Sequence, residues 1–254
     1  MTPDVVVDIG NTRMKWGLCR EGRIQRMASL QSLNPTAWSL KAEQWQLPHP
    51  ARWVVTGVNP NPIIPFHDWA TARGDTLVGI GSHEEIGLPL AVEEPAKVGI
   101  DRLFTALAAV RRTPPDTPVV TINVGTAMTI DFVSPDGVFL GGAILPGPQT
   151  MAKSLRDYTA KLPLIDAEPQ GLCDYRGKNT VEAIQVGIQL AIVGAADEAV
   201  LGFAYDMNQP VSVFITGGGY RYFGGAEFAG ETREIVRDPR LTLDGIRIAA
   251  EALS

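Results

Sequence analysis

Four carboxylate or carboxamide side chains sit at the end of a strand-like run or the start of a helix, the first three of them two residues from a glycine: Asp8, Asp101, Asn123 and Asp131. In the stretch Val5 to Leu18, β-branched residues deliver Asp8 to a Gly10-Asn11-Thr12 turn before alternation resumes, which reads as strand, tight turn and returning strand. Such a turn offers backbone N–H groups beside a carboxylate. The N–H groups suit phosphate oxygens, and Asp8 suits the cation that neutralises them. An ordinary hairpin with an Asx-turn uses the same residue types. The pattern then recurs: Asp8-Ile9-Gly10-Asn11 is answered by Asn123-Val124-Gly125-Thr126 in the run Val120 to Asp131, an offset of 123 − 8 = 115 residues in a chain of 254. Two halves that each bring a phosphate-facing hairpin to a shared cleft would produce this repeat.

Asp101 follows Val98-Gly99-Ile100 and precedes a helical pattern. It reads either as a helix N-cap, worth about 1 kcal/mol, or as a base that accepts a proton from a hydroxyl. Arg102 beside it could bind a carboxylate with two parallel hydrogen bonds. The pair suits a substrate that carries both an alcohol and an acid. Further on, Thr216-Gly217-Gly218-Gly219 closes a buried-type strand, where missing side chains would let a flat ring or a phosphate approach the backbone. The chain has no G-x-x-x-x-G-K-[ST] and no G-x-G-x-x-G after a strand, so neither a P-loop nor a dinucleotide fingerprint applies. Phosphate binding is expected from hairpins.

The elements that must hold these residues follow from the pattern. After the first hairpin come a turn at Glu21-Gly22 with a third strand, a strand at Trp53 to Val58, a short helix over His67 to Arg73 and a strand at Leu77 to Ile80. Ile100 to Arg112 is expected to be helical, with Leu103, Leu107 and Val110 on one face and Arg111-Arg112 at the negative end of the dipole. The Pro-rich stretch Thr113 to Pro118 marks the boundary between two domains, residues 1–115 and 116–254. The second half repeats the logic with strands at Val119 to Ile122 and Ala127 to Val133 and a further strand into Gly141-Gly142-Ala143-Ile144-Leu145-Pro146-Gly147. Helices follow over Thr150 to Ala160 and Asn179 to Phe203, the latter opened by a capping pattern of Asn179 and Glu182. A strand at Val211 to Ile215 and a final helix from Leu243 close the chain. Strands alternating with helices indicate an α/β fold.

Composition narrows the function classes. With 45% hydrophobic and 20% charged residues the chain is globular in type, and a net charge of −6 argues against a nucleic-acid surface. No apolar run is expected to reach the roughly 18 residues a membrane helix needs, and the N-terminus has no basic segment followed by an apolar one. The expected location is the cytoplasm, with no membrane partner. Cys19 and Cys173 form no metal-ligand spacing, and His49, His67 and His83 are scattered, so neither a zinc site nor a Ser-His-Asp arrangement is indicated.

Taken together, Asp8-Ile9-Gly10-Asn11-Thr12, Val98-Gly99-Ile100-Asp101-Arg102, Gly125-Thr126-Ala127 with Asp131, Gly141 to Gly147, Asn179-Thr180 and Thr216-Gly217-Gly218 resemble, in order, the motifs of type III pantothenate kinases. The resemblance spans nearly the whole chain. It implies duplicated actin-like, ribonuclease H-like domains, mixed sheets flanked by helices, with an ATP cleft between the halves. It also implies transfer of the γ-phosphoryl group of ATP to the primary hydroxyl of pantothenate, the first step of coenzyme A synthesis, by a homodimer. Carried over by position, Asp8, Ile9, Gly10, Asn11, Thr12, Arg13, Met14 and Lys15 would form the first phosphate loop, with Asp8 near Mg2+. Thr126 would touch ATP, and Gly217 and Gly218 would lie near the adenosine. Gly99, Ile100, Asp101 and Arg102 would bind pantothenate with Asp101 as proton acceptor, and Thr180 would complete that pocket.

Two positions depart from the family pattern. Asn123 stands where the family commonly has an Asp associated with a monovalent cation, K+ or NH4+; a neutral amide offers such an ion an oxygen and no charge. A tyrosine common shortly before the Gly-x-Asp-Arg motif is missing, with Val92 and Glu94 in its neighbourhood. A regulatory or interaction protein on the same fold, of the transcriptional accessory factor type, is the alternative. Degraded Asp8, Asp101 or Asp131 would favour it, and all three are present.

Overall fold

A computed structural model of the chain describes residues 2–10, 13–57, 60–169, 175–225 and 227–253. In chain order these form β1 (Val5–Ile9), β2 (Arg13–Arg20), β3 (Arg23–Gln31), α1 (Pro35–Gln44), β4 (Arg52–Thr56), α2 (Pro60–Ala72), β5 (Thr76–Gly79) and α3 (Ile100–Arg112). Then follow β6 (Val119–Val124), β7 (Ala127–Val133), β8 (Phe139–Pro146), α4 (Pro148–Tyr158), α5 (Thr180–Met207), β9 (Val211–Thr216), β10 (Thr232–Arg237) and α6 (Leu241–Ala252). They fall into two compact units, residues 1–89, 93–108 and 240–254 in one and 90–92 and 109–239 in the other. The units differ from a single cut at 115–116. The last helix returns to the first unit, and the division falls inside α3.

The first unit holds a five-stranded sheet in the order β3-β2-β1-β4-β5, and the second a five-stranded sheet in the order β10-β9-β6-β7-β8. In the first, β1 is antiparallel to β2 and parallel to β4. In the second, β6 is antiparallel to β7 and parallel to β9. Read with β6 in the place of β1, the two sheets have the same order and the same strand senses. The sequence repeat of Asp8 and Asn123 is therefore a repeat of topology.

In the first unit alternation sends Val5, Val7 and Ile9 into a core shared with Met14, Trp16, Trp38, Trp53, Val55 and Phe66. All five tryptophans of the chain gather around Phe66 and one another: Trp16 meets Trp53 at 4.9 Å and Trp45 at 6.2 Å between ring centroids, and Trp69 lies 5.4 Å from Phe66 and 5.7 Å from Trp38. Edge-on pairs of this kind add about 0.5–1.5 kcal/mol each to simple burial. The opposite face of the sheet is covered by α6. A Cβ on Gly245 would stand 1.9 Å from the carbonyl oxygen of Phe104, so α6 and α3 touch backbone to backbone there. One turn away the hydroxyls of Thr105 and Thr242 meet at 2.9 Å. Gly245→Ala should therefore lower stability by about 1–3 kcal/mol or more, as overpacking does, and denaturant unfolding measures it.

Cys19, beside α6, is buried, and that burial pushes its thiol up to about 12, against the lowering influence of Arg247. The stretch around Cys173 lies outside the described residues.

The second unit is built on α5, a 28-residue helix whose Ile184, Ile188, Ile192, Ala196, Val200 and Phe203 form one buried stripe against β6, β7 and β9. The capping pattern is present: Asn179 Oδ1 accepts from Glu182 N at 3.0 Å, and Glu182 Oε2 accepts from Lys178 N at 2.8 Å. The expectation that no segment reaches membrane length fails at α5, where an 18-residue window has mean hydropathy 1.5. A third of that window (33%) is buried, and core helices of globular proteins have the same profile. Three further elements differ from expectation. Residues 35–44 are helical, capped by Asn34 with Pro35 in the first turn. The helix expected from His67 begins at Pro60, and Thr232–Arg237 forms an edge strand.

Candidate active site

Asp8 is the penultimate residue of β1, on the face away from the aromatic core and in register with Lys15 on β2. Its carboxyl is pushed above the usual carboxylate range, first by burial and also by the charge of Asp101, while Lys15 pulls it down. Two acidic groups far apart in the sequence thus share one electrostatic environment. The turn beyond closes through Gly10 N to Arg13 O at 3.0 Å, and a Cβ at Gly10 would lie 2.8 Å from that same oxygen. Asn11 and Thr12, both named as phosphate ligands, lie outside the described residues. Ile9 and Met14 point into the core, so any part they take in binding is through their backbone.

Asp101 is exposed in the first turn of α3, which begins one residue earlier at Ile100. The N-cap alternative therefore does not hold. The carboxylate folds back over Gly99, where a Cβ would stand 2.8 Å from Oδ1, and Gly99 O accepts from Arg102 N at 3.0 Å. Thr105 Oγ1 donates to Asp101 O at 2.7 Å and also meets Thr242, so α6 steadies the turn that carries Asp101.

In the second unit the corresponding hairpin closes through Gly125 N to Ala127 O at 2.9 Å. Thr126 is exposed at its tip, and its carbonyl accepts from Gly147 N at 2.9 Å and Thr150 Oγ1 at 2.7 Å. A Cβ at Gly147 would lie 1.9 Å from Gly125 O, and one at Gly142 would lie 2.8 Å from Asp131 Oδ1. The glycine-rich stretch Gly141 to Gly147 thus lets β8 and the start of α4 press against the hairpin and the buried Asp131. Gly217, at φ +87, packs on the end of β6, where a Cβ would meet Val124 O at 2.4 Å and Asn123 Oδ1 at 2.6 Å. Gly219 N donates to Val124 O at 2.9 Å, while Gly218 faces open space. Two of the three glycines let the turn sit against β6, and the middle one leaves its outer side clear.

Thr180 is the first residue of α5 and borders a cavity of about 500 Å³ walled by Met151, Leu155, Leu162, Ile184 and Ile188. Among the described residues no group of three His, Cys, Asp or Glu side chains could hold a metal by itself. At the tyrosine-free position, Val92 lies against Gly141, whose Cβ would be 3.5 Å from Val92 Cγ1, and Glu94 pairs with Lys97 at 2.6 Å. One pair of residues was not singled out in the sequence. Thr56 is in register with Asp8, and Gly57 follows it at φ +155, where a Cβ would lie 2.7 Å from Ile9 O.

A model of the type III pantothenate kinase family matches residues 5–201. The chain belongs to that family. It is 32% identical over 262 residues to the type III pantothenate kinase of Desulforapulum autotrophicum, covering 97% of this chain and 96% of that protein. It is 36% identical over 174 residues to that of Anaeromyxobacter sp. (strain K), covering 68% of this chain; the match spans 65% of the length of that relative. Among solved structures, a 2-dehydro-3-deoxygalactonokinase protein of Sinorhizobium meliloti superposes with a TM-score of 0.60 at 11% identity over 98% of both chains. MreB 5 of Spiroplasma citri bound to AMPPNP gives 0.51 at 11% identity over 100% of this chain and 97% of its own. At such identities the likeness concerns the fold, which is actin-like and shared with sugar kinases. The family's motifs thus sit on strand ends, helix starts and glycine turns in both units.

Proposed function

We propose that this type III pantothenate kinase family member phosphorylates the primary hydroxyl of pantothenate with ATP. The observation that carries the reading is the placement of the family's motifs, with Asp8 on the first hairpin strand and Asp101 in the first turn of α3 of the same unit. One carboxylate is half-buried at a phosphate-type hairpin and the other is exposed on a helix start beside Arg102. In the reaction, Asp101 takes the hydroxyl proton as the substrate oxygen bonds to the γ-phosphorus and the bond to the β–γ bridging oxygen breaks, releasing ADP. Arg102 is the group suited to the substrate carboxylate, with Gly99 and Ile100 shaping the approach in the first unit; Thr180 is the pantothenate residue that the family assigns in the second.

In the first unit, backbone and side-chain groups from Asp8 to Lys15 serve the phosphates; in the second, Thr126 is the corresponding hairpin residue, and Gly217 seats its turn on β6 so that the open side of Gly218 leaves room for the adenosine. A base supplies roughly 10²–10⁴-fold, so positioning and charge neutralisation carry the remainder of the acceleration. Mg2+ fits Asp8, a half-buried carboxylate whose ionised form desolvation disfavours; with ATP oxygens it would make the mixed carboxylate and phosphate set that magnesium takes, and the ion would neutralise phosphate charge when bound.

A monovalent cation at Asn123 would meet a neutral carbonyl oxygen that is already packed on Gly217. The site therefore lacks the charge that makes such an ion strongly held. Turnover should be nearly the same in sodium and potassium, and Asn123→Asp should introduce potassium stimulation, read as the ratio of kcat in the two salts. A homodimer is supported by the outward face of α5, where Leu190, Leu201 and Tyr205 are exposed. A coupled assay of ADP release with pantothenate, ATP and magnesium tests the whole reading. Turnover that requires pantothenate is the expected result, and its absence with magnesium and either potassium or ammonium present would overturn it.

A further inference from the structure

Among the described residues, three buried side-chain oxygens have no hydrogen-bond partner: Oγ1 of Thr56, Thr121 and Thr129. Their positions follow a pattern. Thr56 is in register with Asp8, Thr129 with Asn123 and Thr121 with Asp131. Each stands beside a polar residue of one of the two hairpins. Unmade hydrogen bonds inside a protein are costly and few, so three at such neighbours mark a polar layer beneath the hairpins.

The duplicated topology adds a second, independent observation. With β1 equivalent to β6, β4 is equivalent to β9, and Thr56-Gly57 takes in the first unit the place that Thr216-Gly217 takes in the second. The registers agree, since Asp8 pairs with Thr56 and Asn123 with Thr216. Both glycines have positive φ, +155 and +87, and both press on the backbone of the neighbouring strand, at Ile9 O and Val124 O. The first unit therefore has its own counterpart of the glycine turn.

Trp53 and Val55 face the aromatic core, as Val5, Val7 and Ile9 do, so Thr56 and Asp8 share the opposite face. Paired strands lie about 4.8 Å apart, which puts a threonine hydroxyl one χ1 rotation from a carboxylate beside it. We propose that Thr56 is a positioning residue: its hydroxyl donates to Asp8 and orients that carboxylate when a divalent cation and a triphosphate occupy the hairpin. This rests on the assignment of Asp8 to the metal side of the site. Hydrogen bonds behind a metal-binding carboxylate are typically worth 10–100-fold in affinity or rate.

Thr56→Val keeps the shape and removes the hydroxyl, and Thr56→Ser keeps the hydroxyl. Calorimetric titration with ATP, with and without Mg2+, gives a readout separate from turnover. Thr56→Val should bind metal-free ATP as the wild type does, lose about 10-fold of the affinity that Mg2+ adds and lose about 10-fold in kcat. Its Tm should be equal or higher, since a buried hydroxyl without a partner has been replaced by a methyl group. Thr56→Ser should recover both the magnesium increment and kcat. A Thr56→Val protein with the wild-type increment and kcat overturns the proposal. So does a Thr56→Ser protein as impaired as Thr56→Val with both melting early, which is the signature of packing. A wild type inactive on pantothenate, whose magnesium increment nevertheless falls in Thr56→Val, supports this role for Thr56 and refutes the substrate assignment alone.

Discussion

Asp101→Asn should retain wild-type affinity for ATP and lose about 10²–10⁴-fold in kcat, the contribution of a positioned general base. The substitution is close to isosteric, and the side chain it changes is exposed and lies over Gly99 in the first turn of α3. The turn itself is held by backbone and threonine contacts, Arg102 N to Gly99 O and Thr105 Oγ1 to Asp101 O, which the amide leaves in place. Stability should change little. Steady-state kinetics beside nucleotide titration separates the outcomes: unchanged kcat removes Asp101 from proton transfer, and lost ATP binding would mean that it holds the nucleotide.

Asp8→Asn should lose about 10²-fold or more in kcat, by analogy with removal of one preorganised electrostatic group, and gain stability in metal-free buffer. The sign follows from burial. The Asp8 carboxyl is raised above its unfolded value of 3.8, so the folded state holds the proton more tightly than the unfolded one. Stability associated with this group is greatest when Asp8 is protonated, and declines as pH rises from the unfolded value through the raised folded one. At neutral pH the ionised carboxylate opposes folding, and the neutral amide removes that opposition. Each kcal/mol recovered should lift Tm by about 2–4 °C in a chain of this size. Thermal melts at pH 7 and near pH 4 check it: the advantage of Asp8→Asn should shrink at the lower pH, and a constant difference would refute the burial account.

What the sequence disclosed was local. The hairpins were legible because β-branched runs end in glycine. The start of α5 was legible because Asn179 and Glu182 satisfy each other within four residues. α1 escaped notice because it buries little beyond Trp38 and Ala42, although Asn34 followed by Pro35 is a helix-start signal. The edge strand β10 carries arginines and a glutamate along a half-buried face, so its alternation is weak. The return of α6 to the first unit depends on the close approach at Gly245, a contact made across the length of the chain. Thr56 was missed for a related reason. Its significance lies in lateral register with Asp8, and no spacing along the chain expresses that register.

The gathering of Trp16, Trp38, Trp45, Trp53 and Trp69 in one core has a practical consequence for spectroscopy. Intrinsic indole fluorescence is a private signal of the first unit, and the second contributes tyrosine and backbone signals alone. An emission melt therefore follows the half that carries Asp8 and Asp101, whereas far-ultraviolet circular dichroism, dominated by the 28 residues of α5 and the other helices, follows both. If the two traces coincide, the halves unfold together. If they separate, the order of loss can be assigned to each unit without a label.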